Sequence, residues 1–77
     1  MDNETKNIRA TLDRWLDRAV AVLNKQGDVP SAELEPVRSG LAKAIGRAEG
    51  SGYVGQKLGN ARIRLYCIDR LLANKKD

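Results

Sequence analysis

Hydrophobic residues recur along most of this chain at intervals of three and four, the period of an α-helix that buries one side. In the first segment the pattern runs through Ile8, Leu12, Trp15, Leu16, Ala19, Val22 and Leu23 and predicts a helix over residues 4–26. Arg9, Asp13, Arg14, Asp17 and Arg18 occupy the other faces, with Arg9–Asp13 at i,i+4 and Arg14–Asp17 at i,i+3 spaced to pair on the surface. Gly27 follows as a stop, since glycine takes the left-handed backbone of a helix C-cap without a steric penalty.

The run Asp28, Val29, Pro30, Ser31 predicts a connection. Val29 precedes a proline and is pushed away from helical angles, and the Ser31 hydroxyl suits the capping of the next amides. The second helix is expected over 34–49, with Leu34 leading into a stripe of Val37, Leu41, Ile45 and Ala48. Pro36 donates no amide hydrogen and is best tolerated in a first turn, which places the regular start near Glu35. Gly40 and Gly46 weaken this helix by about 1 kcal/mol each relative to alanine.

In the third segment Val54, Leu58, Ala61, Leu65, Ile68 and Leu72 step alternately by four and three, like a coiled-coil seam, and predict a helix over 53–74. Cys67 and Leu71 widen the stripe on one flank, so this helix is expected to face two neighbours. The tail from Asn74 to Asp77 is expected to fray. The fold class that follows is all-α in a single domain over 1–77. It is either a small three-helix bundle or a helical hairpin with an extra N-terminal helix, with dimerisation open.

With 77 residues there is room for one core, and 42% hydrophobic against 31% charged residues is a globular balance. Stability is thin at this size, and a homodimer or partner surface would widen it. The absence of histidine and the single cysteine, Cys67, leave almost nothing to ligate a transition metal, and no cofactor is expected. A lone thiol in an apolar stripe reads as inert and fits a reducing compartment. The N-terminal residues do not resemble a secretory signal and no apolar run reaches membrane-spanning length, so a cytoplasmic protein without a membrane partner is expected.

The net charge of +4 is concentrated toward the end of the chain: residues 51–77 carry +4, residues 1–26 carry +1 and residues 27–50 carry −1. An acidic partner would be drawn to the last third. Lys57, Asn60, Arg62 and Arg64 are candidate contacts to nucleic acid or another anion there. A helix-turn-helix using the second and third helices would present them, although Gly55 and Gly59 would soften the helix that has to read bases.

Residues 50–55, Gly-Ser-Gly-Tyr-Val-Gly, spell the G-x-G-x-x-G of phosphate-binding loops. That motif needs a preceding strand in a βαβ unit, whereas these glycines follow a helical stripe. The simpler expectation is that Gly50 and Gly52 form a turn between antiparallel helices, while Gly55 and Gly59 let another backbone come close. A sharper alternative is a phosphate or nucleotide ligand held by free amides at the start of the third helix, with Lys57 and Arg62.

Trp15 reads as a core anchor. Tyr66 lies one turn from both Arg62 and Arg70, and with Tyr53 these make the candidate partner-binding residues. No Ser/His/Asp set exists and no carboxylate pair stands in an evident pocket. The function expected from the sequence is a small non-enzymatic helical interaction module. It would be accessory, regulatory or inhibitory, acting by binding another protein or pairing as a homodimer. The alternatives are a nucleic-acid-binding regulator and an anion binder at the glycine turn.

Overall fold

The computed structural model describes residues 3–25 and 29–74, and within them the chain is a three-helix bundle with no strand. Helix α1 spans Asn3–Leu23, α2 spans Ser31–Gly50 and α3 spans Gln56–Asn74. Each helix packs against both others in a rod of 46 × 19 × 18 Å. Two ion pairs fix the course of α2 and α3. Glu49 near the end of α2 meets Arg62 early in α3, and Arg38 early in α2 meets Asp69 late in α3, so the two helices run antiparallel along their length. The near-perpendicular crossing of a helix-turn-helix is not present.

The core follows the hydrophobic pattern closely. Ile8, Leu12, Ala19 and Val22 of α1, Leu34, Val37, Leu41, Ala44, Ile45 and Ala48 of α2, and Leu58, Ala61 and Ile68 of α3 are buried together. Trp15, Leu16, Leu23, Leu65 and Leu72 pack half-buried against them. No polar or charged side chain is buried among the described residues, so no desolvated charge needs a partner.

Several boundaries differ from those the sequence predicts. Helix α1 ends at Leu23 rather than 26, and Gln26 and Gly27 lie outside the described residues, as do Asp28 and the tail from Lys75 to Asp77. Helix α2 begins at Ser31, well before Glu35. Pro30, with extended backbone at φ −62° and ψ 148°, holds the N-cap position and no side chain caps the helix, so Ser31 is the first helical residue instead of the cap. The Pro30 carbonyl accepts the amides of Glu33 and Leu34 at 3.0 and 3.2 Å. Pro36 sits inside the helix and leaves the Ala32 carbonyl without its helical partner. Burial of Val29 and Leu34, at the two positions of a hydrophobic staple, offsets that loss and carries the helix through the proline.

The turn between α2 and α3 is a Schellman motif. Gly52 takes φ +74°, the amide of Gly52 donates to Glu49 at 3.1 Å, and the amide of Tyr53 donates to Ala48 at 2.9 Å. These bonds consume the chain through Tyr53, so α3 cannot start at 53. It starts at Gln56, and Val54, expected at the head of the seam, is 93% exposed. Gly55 lies beneath the Tyr53 ring, whose hydroxyl oxygen would be 2.9 Å from an added Cβ. Gly59 faces open space, so among the described residues no second backbone lies against either glycine. The close approach is at Gly40, which receives Trp15.

Candidate functional site

The basic residues of α3 do not form one patch, because the bundle turns some of them toward carboxylates on the other helices. Lys57 pairs with Asp13 of α1. Arg62 gives both Nε, at 3.1 Å, and Nη2 to one carboxylate oxygen of Glu49 on α2. Asp13 is therefore engaged across the bundle rather than with Arg9. Arg14–Asp17 is also absent from the ion pairs of the described residues, which are Arg38–Asp69, Lys57–Asp13, Arg62–Glu49 and Lys25–Glu33. Of the four candidate anion contacts, Asn60 and Arg64 remain exposed on α3 while Lys57 and Arg62 are held to its flanks. The predicted cluster is thus divided.

The candidate partner-binding residues divide as well. Tyr53 is half-buried against the core, and Arg62 is bound to Glu49. Tyr66 and Arg70 stand together on the outward face of α3: Tyr66 is 61% exposed, the Arg70 Nη1 donates to its hydroxyl at 3.2 Å, and the guanidinium lies 5.8 Å from the ring centroid. Beside them Ile63 is 58% exposed, and Leu71, about 100° farther round the helix than Arg70, is 36% exposed. Cys67 is partly exposed and outside the core cluster, contrary to the buried thiol expected from the stripe.

Gly59, Ile63, Tyr66 and Arg70 step by four, three and four, the same spacing as the buried seam but on the opposite side of the helix. Helix α3 therefore carries two exposed apolar side chains, Ile63 and Tyr66, on its solvent face, flanked at the same spacing by Gly59 and Arg70. Ile63 is the residue that sequence analysis missed. Its signal was a β-branched apolar side chain half a turn away from the seam, where a solvated helix normally carries a polar residue.

A second surface forms between α1 and α2. The Trp15 ring rests on Gly40, with Cζ2 and Cη2 each 2.3 Å from the position of an added Cβ, and the Arg18 guanidinium covers the ring at 5.0 Å from its centroid. Thr11, Pro36, Ser39, Lys43, Ala44 and Arg47 complete a cavity of about 390 Å³. The described cations without a carboxylate partner are Lys6, Arg9, Arg14, Arg18, Lys43 and Arg47 on α1 and α2, and only Arg64 and Arg70 on α3. Among the described residues six of the eight unpaired cations therefore lie on α1 and α2, beside three unpaired carboxylates, Glu4, Asp17 and Glu35.

At the glycine turn, Tyr53, Gly55, Gln56, Lys57 and Asn60 line a polar cleft with Arg9 of α1. No group of three or more metal-ligating side chains occurs among the described residues, and no helix there is long and apolar enough to cross a membrane.

The described residues form a small all-α three-helix bundle with Ile63 and Tyr66 exposed on α3 and most unpaired cations on α1 and α2. Comparison with known proteins gives no match: no family model, curated protein sequence or solved structure is significantly similar to this chain.

Proposed function

We propose that the chain is a small, non-enzymatic interaction module of the cytoplasm that pairs with a second copy of itself through the outward face of α3 and acts by occupying a partner's surface. The observation that carries this reading is the exposure of Ile63 and Tyr66 side by side on the face of α3 that points away from the core. Exposed apolar side chains are ordinary when scattered singly, whereas two adjoining on one helix face offer a contact surface.

The order of residue sizes along the stripe favours a second copy as the occupant. In an antiparallel pair related by a two-fold axis between Ile63 and Tyr66, each Ile63 packs on the partner's Tyr66, and each Arg70 lies across the open surface left by the partner's Gly59. The two Arg70 side chains are then about 16 Å apart along the helices, roughly twice the Debye length at physiological salt. A parallel pair would place them against each other. A single helix stripe buries an area at the low end of specific interfaces, so the dimer is expected to be weak, with a dissociation constant on the order of micromolar.

Nucleic-acid binding by α3 is the second reading, and the engagement of Lys57 and Arg62 with Asp13 and Glu49 weakens it. Disulfide trapping tests the antiparallel pairing in a Cys67→Ser background. Mixed Ile63→Cys and Tyr66→Cys chains should cross-link to each other, while Arg70→Cys chains alone should not. Efficient Arg70→Cys cross-linking, or no mixed product, would overturn the arrangement.

A further inference from the structure

We infer that the groove between α1 and α2 is a docking site for an acidic segment of a partner protein that places one apolar side chain against Trp15. This site is separate from the α3 stripe and does not depend on self-association. Its floor is apolar, made by Trp15, Pro36, Gly40 and Ala44, and its volume of about 390 Å³ accommodates a side chain. Its rim is cationic: Lys43 and Arg47 line it and Arg18 stacks on the indole.

None of these three cations has a carboxylate partner among the described residues, although Asp13, Glu33, Glu49 and Asp69 are all engaged by other cations. The uncommitted described carboxylates, Glu4, Asp17 and Glu35, do not line the groove. The positive rim is therefore uncompensated, and its complement is a chain that brings its own carboxylates. Lys43 and Arg47 are one turn apart on α2, the spacing at which successive carboxylates of a helical segment would meet them.

A protein segment fits better than nucleic acid because Gly40 and Arg18 leave no open face of the indole for a stacked base, while the ring edge that lines the groove still takes an aliphatic side chain. One face rests on the Gly40 backbone and Arg18 covers the ring. Without a stacking surface, a nucleic acid would gain only phosphate contacts and leave the apolar floor unused.

Trp15 is the chain's only tryptophan, so its emission reports on this groove alone. The probe is a fluorescein-labelled synthetic peptide of glutamate pairs separated by single leucines, followed by anisotropy and by Trp15 emission in the same titration. A serine-for-leucine peptide and labelled oligothymidylate are run beside it. The leucine peptide should bind saturably with a change in Trp15 emission. Affinity should fall about tenfold or more in Lys43→Glu with Arg47→Glu, two exposed positions whose replacement should leave the helical circular dichroism unchanged. Four outcomes would overturn the inference: no saturable binding, binding without a change in Trp15 emission, equal affinity for the serine peptide, or tighter binding of oligothymidylate.

Discussion

The indole of Trp15 lies so close to Gly40 that a methyl group at that position would fall 2.3 Å from its ring carbons. Glycine at 40 is thus a packing requirement of the α1–α2 interface, and the helix-weakening effect of glycine is only half of its energetics. Gly40→Ala should destabilise the protein by about 1–3 kcal/mol through displacement of the ring. Gly46→Ala, where nothing stands within 4 Å, should stabilise it by about 0.5–1 kcal/mol. Denaturant melts of the two variants should move in opposite directions.

A similar contrast tests the turn. Gly52 has φ +74°, a conformation that costs an L side chain roughly 1–2 kcal/mol, whereas Gly50 is helical and faces open space. Gly52→Ala should lower the melting temperature, and Gly50→Ala should leave it unchanged or raise it. Equal effects would mean that the Schellman turn does not form.

In the core, Ile68 is fully buried and Leu65 only partly, so Ile68→Ala should cost about 2–5 kcal/mol and Leu65→Ala less. Val54→Ala, at a position 93% exposed, should stay within about 0.5 kcal/mol of the unaltered chain. Urea unfolding followed by helical circular dichroism ranks the three. A large effect at Val54 would restore it to the seam.

These contrasts show which features the sequence made legible. The three helices and almost all of their buried residues could be read from the three-and-four spacing, because burial against neighbours is what selects that period. Val54 misled because it stands four residues before Leu58 and continues the spacing, while the bonds of Gly52 and Tyr53 to α2 hold the chain out of helical conformation there. Pro36 misled in the other direction, since the burial of Leu34 and Val29 outweighs one lost hydrogen bond.

The candidate site was less legible, since charge counted along the chain ignores partners brought in by tertiary packing. Lys57 and Arg62 look free in sequence, and only the bundle sets them against Asp13 and Glu49. Tyr66 and Arg70 were identifiable because their pairing is local, one helical turn apart. Trp15 and Gly40 are distant in sequence and no local rule links them.

The pairing of Lys57 and Arg62 with carboxylates predicts weak affinity for nucleic acid along α3. Fluorescence anisotropy on duplex DNA, single-stranded DNA and RNA over a salt series should show no binding tighter than about 10⁻⁴ M at physiological salt. Tighter binding that Arg62→Glu and Arg64→Glu abolish, with a shallower salt dependence for each lost phosphate contact, would instead make α3 a nucleic-acid surface.

Self-association through Ile63 and Tyr66 on the outward face of α3 is tested by sedimentation velocity across a concentration series. The unaltered chain should shift from monomer to dimer in the micromolar range, and Ile63→Asp, a change at an exposed position that leaves the fold intact, should remain monomeric throughout. A chain that stays monomeric at millimolar concentration, or an Ile63→Asp variant that dimerises as readily as the unaltered protein, would contradict it.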